Sequence, residues 1–252
     1  MIVQLFPTCL VNEFRPDAGM AVARVLERAG CEVTLPEGLT CCGQPAYNAG
    51  FHDQARQVAR YTIGVLDRTD GPIVVPSGSC CDMLVHQSAE LFKDEANTAE
   101  QAHRVAGRCR EFSQFVGERL KTAAGGRAKP APTDRGSTPV RVAYHPSCHL
   151  QRGLRVTREP RELIASVRGA EAVRFDEQDE CCGFGGLFSI KNAEISASMM
   201  DRKLAAIAAS GADRLVSCDL GCLMHLEGGL RRRGAAIKVQ HLAEFLDEGA
   251  GP

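Results

Sequence analysis

The chain has 252 residues, 44% of them hydrophobic and 24% charged, enough apolar content for one large domain or two of about 120 residues with separate cores. A formal net charge of -1 sets up no long-range field for a polyanion. The one compact basic run, Arg231-Arg232-Arg233, reads as the solvated end of a helix, so no nucleic-acid partner is expected. No apolar run approaches the roughly 20 residues that cross a bilayer, so no membrane span is expected. Met1 to Val11 carries no basic leader, and twelve cysteines without an export signal point to a cytoplasmic, reducing compartment. There, thiols serve as metal ligands or redox groups more often than as disulfides.

Strand-type apolar runs alternate with stretches of helical period along the chain. Ile2 to Phe6, Glu32 to Leu35 and Ile73 to Val75 read as buried strands, separated by helical patterns over Met20 to Ala29 and Ala55 to Leu66. Ala102, Val105, Ala106, Cys109, Phe112, Val116 and Leu120 then fall on one face of a single long helix. Residues 121–138, rich in Gly, Ala, Pro and Thr, have no apolar period and read as a linker. Beyond it the order repeats. Val140 to Tyr144, Ala172 to Phe175, Arg214 to Ser217 and Ile237 to Gln240 are strands, with helices near Glu159 to Arg168, Ala193 to Ala209 and Cys222 to Arg232. The expected fold is α/β, with two similar Rossmann-like repeats, 1–120 and 139–252, built on parallel sheets.

The cysteines recur in register across these halves. Cys41-Cys42-Gly43 and Cys181-Cys182-Gly183 stand 140 residues apart, preceded by Cys9 and Cys148 at distances of 32 and 33, and followed by Cys80 and Cys222, 142 apart. A scatter of core thiols has no reason to repeat, so the pattern reads as an internally duplicated cysteine-ligated site. The thiols follow expected strands, and in parallel α/β sheets the loops at the carboxyl ends of strands converge on one crevice. The cysteine loops are therefore expected to face a shared cleft. Neighbouring side chains of an extended segment point to opposite faces, which suits one tetrahedral zinc poorly, whereas a multi-iron cluster accepts neighbouring thiolates on different irons. A zinc-stabilised interaction module and a metal-free thiol-disulfide catalyst are the alternatives, and anaerobic metal and sulfide analysis separates the three.

The stretches Cys41-Cys42-Gly43-Gln44-Pro45-Ala46-Tyr47-Asn48, Pro76-Ser77-Gly78-Ser79-Cys80, His145-Pro146-Ser147-Cys148 and Cys181-Cys182-Gly183-Phe184-Gly185-Gly186 together resemble the cysteine-rich CCG domain family. That family includes the cysteine-rich subunit of heterodisulfide reductase and the iron–sulfur subunit of glycolate oxidase. The resemblance implies one or two iron–sulfur clusters per chain, of the 4Fe-4S type or a non-cubane type held by five cysteines. It also implies a cytoplasmic, electron-transferring subunit that, with two partner proteins including a ferredoxin-type iron–sulfur subunit, supports oxidation of L-lactate to pyruvate. A glycolate oxidase or heterodisulfide reductase-like complex is the alternative, and a small 2-hydroxy acid is a further candidate ligand.

Carried onto this chain, the implied metal ligands are Cys9, Cys41, Cys42, Cys80 and Cys81 in the first half and Cys148, Cys181, Cys182, Cys218 and Cys222 in the second. The reductase pattern ends in C-x-x-C, and here Ser77 stands at its first cysteine. Cys218 and Cys222 lie one helical turn apart, which is expected to aim both at the cleft and to make the second site the more firmly held. His145 and His149 flank Cys148, placed to donate hydrogen bonds to cluster sulfur or to replace a thiolate as ligand, and Gly43, Gly183, Gly185 and Gly186 allow close backbone approach. Ser189 and Lys191 are expected at a helix start able to hold a carboxylate. Cys31 and Cys109 read as core thiols. No G-x-G-x-x-G follows the first strand, and no P-loop or G-x-S-x-G is present, so nucleotide and hydrolytic chemistry find no support.

Overall fold

The computed structural model describes residues 1–123 and 139–248. The first half runs β1 (Ile2–Leu5), α1 (Cys9–Phe14), α2 (Pro16–Arg28), β2 (Glu32–Thr34), α3 (Gln44–Asn48), α4 (His52–Asp67) and β3 (Ile73–Val75). It continues with α5 (Gly78–Asp82), a π turn (Met83–Gln87), α6 (Ser88–Leu91), α7 (Ala96–Arg108), β4 (Cys109–Glu111) and α8 (Phe112–Ala123). The second half runs β5 (Val140–Tyr144), a π turn (His149–Gly153), α9 (Glu159–Ser166), β6 (Ala170–Val173), α10 (Phe188–Lys191) and α11 (Ala193–Ala209). It closes with β7 (Arg214–Ser217), α12 (Leu220–Arg232), β8 (Lys238–His241) and α13 (Leu242–Glu248). The linker expected over 121–138 lies outside the described residues except at 121–123, which are the last turn of α8.

Each half forms a four-stranded sheet with every pair parallel, in the order β2-β1-β3-β4 and β6-β5-β7-β8. The chain winds outward from β1 to β2 and then returns past β1 to β3, so the loops after β1 and β3 part company between adjacent strands. That divergence is the crevice in which open α/β sheets bind ligands, and it falls again between β5 and β7. The helices form where amphipathic period meets a start and a stop. α2 opens on Pro16, whose missing N–H costs nothing at that position, and ends before Gly30 with φ of 78°, an asymmetry typical of isolated helix ends. Its buried face, with Ala18, Ala21, Val22, Val25 and Leu26, contributes roughly 1.5–3 kcal/mol for each of the larger side chains.

One long helix over 102–120 does not form. α7 stops at Arg108, and Cys109–Glu111 pair with Ile73–Val75 as a fourth parallel strand. The apolar spacing suits either state, and the unpaired ladder groups of β3 decide for strand. β6 also begins two residues before its expected start, leaving Phe175 to join the core around α11.

The halves exchange contacts reciprocally. α2 packs on α13, and α9, its counterpart in the second half, packs on α8. α1 packs on α12, and the π turn after Cys148 packs on α5. One core is consequently shared, with Val3, Leu5 and Phe112 against Val142, Tyr144 and Phe245. Among the described residues no helix is long and apolar enough to cross a membrane.

Glu111 ends β4 fully buried beneath this shared core. Its Oε2 accepts hydrogen bonds from the Ser113 N–H at 2.8 Å, the Gln114 N–H at 3.3 Å and the Ser113 hydroxyl, whereas Oε1 has no partner among the described residues. Burial pushes its pKa from 4.5 to about 7, with Asp219 adding to the rise, and Cys81, Cys218 and Tyr144 also face it. Between these two values the native state keeps a proton that the unfolded chain has released, so stability falls as pH rises from about 4.5 to 7. The loss attributable to this group is roughly 3 kcal/mol. Glu111→Gln should flatten that part of the stability–pH curve in chemical denaturation. An unchanged slope would show that the carboxyl is ionised in the native state.

Candidate metal centre

Each thiol arrives at the cleft by a local device. Cys9 opens α1 directly after Thr8, whose φ of 66° turns the chain sharply out of β1. Cys80 lies in the first turns of α5, where the Ser77 side chain caps the helix by accepting the Cys80 N–H at 3.4 Å. In α12 the cap is Asp219, accepting the Gly221 N–H at 3.2 Å, and Cys222 follows. In both triplets glycine takes a left-handed conformation, with φ of 91° at Gly43 and 90° at Gly183. This curls the backbone so that the Gly43 N–H donates to Cys41 Sγ at 3.5 Å and the Gly183 N–H to Cys181 Sγ at 3.4 Å. A Cβ on Gly183 would lie 2.6 Å from the Ser196 carbonyl oxygen, and one on Gly43 would lie 3.2 Å from that of Ala55, so the loops close on α11 and α4 only through glycine.

Four thiols gather in each half. Cys9 Sγ lies 3.8 Å from Cys41 Sγ, and Cys42 is within hydrogen-bonding reach of both Cys41 and Cys80. In the second half Cys181 is within hydrogen-bonding reach of Cys148 and Cys182, and Cys182 of Cys222. Cys182, Cys222 and His145 also offer ligand atoms within 4.8 Å of one another. All eight of these cysteines line one cleft of about 640 Å³ between the halves, and no cysteine is bridged. Cys41 is held well below the usual thiol range by donation from Cys42, Cys9 and the Gly43 N–H, and Cys181 by Cys148, Cys182 and the Gly183 N–H. The thiols that donate to them rise: Cys9 and Cys42 through Cys41, and Cys148 and Cys182 through Cys181. Cys41 and Cys181 thus form thiolates readily, and a bound cation would strip the protons from the thiols that donate to them.

The caps of the two thiol-bearing helices interlock. Asp219 Oδ2 accepts the Ser79 N–H at 2.8 Å and the Ser77 hydroxyl at 3.3 Å, and the Gly78 N–H donates to the Cys218 carbonyl at 3.3 Å. A second tie crosses the cleft wall where His149 Nδ1 meets Asp82 Oδ2 at 2.7 Å, which raises the His149 pKa. His149 lines the cleft with one nitrogen committed to that carboxylate. His145 is fully buried, with neither ring nitrogen partnered among the described residues, and burial followed by Lys203 lowers its pKa to about 3, leaving it neutral.

Two of the ten expected ligands stand elsewhere. Cys81 is buried in the first-half core beside Cys109 and Glu111, because the residue after Cys80 on α5 turns away from the cleft. Cys218 lies in the shared core near Tyr144 and Ser113. The expectation that it shares a helix face with Cys222 fails because the helix starts only after Asp219, which leaves Cys218 in the extended segment. Ser77 and Asp219 occupy matching cap positions, so neither half assembles a fifth cleft thiol among the described residues. Cys31 and Cys109 are core thiols as expected. Gly185, Gly186 and Ser189 line the cleft, whereas Lys191 is exposed, outside it, and ends a helix of four residues rather than starting one. Sequence reasoning missed Asp82, Asp219 and Lys203. Lys203 carried a signal, since it falls on the apolar stripe of Met200, Leu204 and Ile207 where a solvated lysine does not belong.

A family model described as a CCG cysteine-rich domain matches residues 3–85 and again 142–227. The chain is 42% identical over 247 residues to the Lactate utilization protein A of Halalkalibacterium halodurans, covering 98% of this chain and 97% of that one. It is 41% identical over 248 residues to the proteins of that name from Bacillus thuringiensis and Bacillus cereus, covering 98% of this chain and 99% of theirs. Because the family model falls once on each half and takes in all eight cleft cysteines, the chain belongs to the CCG family of cysteine-rich domain proteins.

Proposed function

We propose that this chain is the iron–sulfur, electron-transferring subunit of a cytoplasmic multi-protein system that oxidises L-lactate to pyruvate, acting with two partner proteins, one of them a ferredoxin-type iron–sulfur subunit. The observation that carries the reading is the pair of four-thiol sets opening on one cleft. Thiolate ligands suit iron–sulfur clusters and zinc alike, the vicinal cysteine pairs favour the multi-iron group over a single tetrahedral ion, and four cysteines are the ligand complement of a 4Fe-4S cluster. The donor set therefore fits such a group in each half, with Cys9, Cys41, Cys42 and Cys80 holding one and Cys148, Cys181, Cys182 and Cys222 the other. The group when bound supplies one-electron transfer. The chain supplies the rest: Gly43 and Gly183 N–H groups pointing at sulfur, a neutral buried His145 with a free ring N–H, and apolar walls of Phe184, Leu187 and Leu220 that keep water out.

The cleft favours electron transfer over substrate oxidation on this chain. Among the described residues no lysine or arginine lines it, so a 2-hydroxy acid finds no side-chain cation of the kind that usually clamps a carboxylate. The lactate assignment is supported by the names of the full-length relatives. Protein purified without air should carry iron and acid-labile sulfide in equal amounts, about eight of each per chain for two 4Fe-4S groups, with brown absorption. A colourless protein holding zinc would overturn the proposal in favour of a structural metal site. Deletion of the chain from a lactate-grown host should abolish growth on lactate, and undiminished growth would remove the substrate assignment while leaving the cluster assignment standing.

A further inference from the structure

The two thiol sets match in ligands and differ in what lies behind them. Gly183 meets the carbonyl of Ser196 in α11 as Gly43 meets that of Ala55 in α4, and seven residues further along each helix stand Lys203 and Thr62. Both are fully buried. Thr62 is neutral and donates its hydroxyl to the Cys41 carbonyl at 2.8 Å. Lys203 Nζ donates to the carbonyls of Glu177 at 2.7 Å and Gln178 at 3.1 Å and lies 5.6 Å from the centre of the Phe175 ring. Among the described residues it pairs with no carboxylate. Burial lowers its pKa, and the groups that oppose this by favouring its charged form are the sulfurs of Cys182, Cys222, Cys148 and Cys181, all four members of the second set. The strand ends differ in the same sense, with His145 in the second half where Phe6 stands in the first.

A buried ammonium without a counterion is costly, and a long side chain can usually escape to solvent. Lys203 is instead pinned by the carbonyls of Glu177 and Gln178, just before Cys181 in the chain, so the compensating negative charge would be that of the second-set thiolates once they hold a metal group. A fixed cation beside such a group, together with an N–H donor toward sulfur, stabilises the form carrying one more electron. Among the described residues the first set has a backbone N–H toward sulfur but no buried lysine and no buried imidazole behind it, and it sits among Phe6, Ala59 and Ile63.

We propose that Lys203 is a positioning charge that makes the second thiol set the electron-accepting member of the pair. This rests on reading both sets as iron–sulfur sites. Were Cys9, Cys41, Cys42 and Cys80 to hold one group and Cys148, Cys181, Cys182 and Cys222 the other, the charge at Lys203 would favour placing a single added electron on the second, with no bond made or broken.

The test is an anaerobic redox titration followed by electron paramagnetic resonance, with iron and sulfide measured on every sample. The wild-type protein should show two midpoints, the higher of them missing in Cys182→Ser and present in Cys42→Ser. Lys203→Met should lower that midpoint by at least tenfold in the electron-exchange equilibrium, about 59 mV for one electron, and Lys203→Arg should hold it. A single common midpoint in the wild type, or a higher midpoint lost in Cys42→Ser, overturns the proposal without any Lys203 variant. So does a fully loaded Lys203→Met with unmoved midpoints. Wild-type protein that binds no iron overturns the reading of the sites themselves, and iron in both sites at equal potential overturns only the role of Lys203.

Discussion

Cys42→Ser and Cys182→Ser should each remove about half of the iron bound per chain while the protein stays folded. Cys42 and Cys182 are the most deeply buried members of their sets and contact two neighbouring thiols apiece, so replacing sulfur by a hydroxyl removes the ligand at the centre of each group. The change in volume is small and the surrounding core is apolar, so the stability cost should stay within roughly 1–3 kcal/mol. Cys81→Ala and Cys218→Ala are the contrast. They delete equally buried thiols from the cores, at a cost of about 1 kcal/mol, and should leave iron and sulfide unchanged. The asymmetry expected from sequence, with Cys218 reinforcing the second site, is thereby replaced by two sets of equal ligand number. Iron loss in Cys218→Ala matching that in Cys182→Ser would restore Cys218 to the site.

Gly183→Ala should be among the most damaging single-methyl additions available in this chain. The left-handed backbone costs an alanine about 1–2 kcal/mol. The new Cβ would also stand 2.6 Å from a backbone oxygen of α11, which can yield only if the helix or the thiol loop moves. A total of about 3 kcal/mol or more is expected, and the displaced loop should weaken iron retention as well. Gly43→Ala should cost less, its nearest contact being 3.2 Å. Gly50→Ala isolates the backbone contribution, since φ is 82° there and nothing lies within 4 Å of the added carbon. Chemical denaturation of the three variants checks the order. A Gly183 variant no less stable than the Gly50 variant would mean that the loop gives way freely.

The cleft was readable from sequence because its determinants are local and repeated. A cysteine one turn past a strand and a Cys-Cys-Gly triplet carry their geometry with them wherever the parallel sheet places its loops. What escaped is what depends on partners distant in the chain. Cys109–Glu111 has the apolar spacing of a helix and becomes a strand because β3 presents an open edge. Cys218 and Cys222 have helical spacing, yet the cap at Asp219, itself tied to Ser79 of the other half, sets the helix start between them. Asp82 was unremarkable until His149, 67 residues away, met it. Lys203 is legible only as a charge out of place on an apolar stripe, and its reason is visible once the four thiols stand before it.

The reciprocal packing of the halves has a consequence for what counts as a folding unit. In a two-fold homodimer a patch i meets patch j of the partner and j meets i, and this chain reproduces that exchange within itself: α2 on α13 and α9 on α8, α1 on α12 and the turn after Cys148 on α5. The cap positions Ser77 and Asp219, equivalent in the two halves, touch each other, as residues on a symmetry axis do. The tandem is a dimer written on one chain. Either half alone would expose the apolar faces that the other now covers, so it has a closed interior only in the company of a second copy.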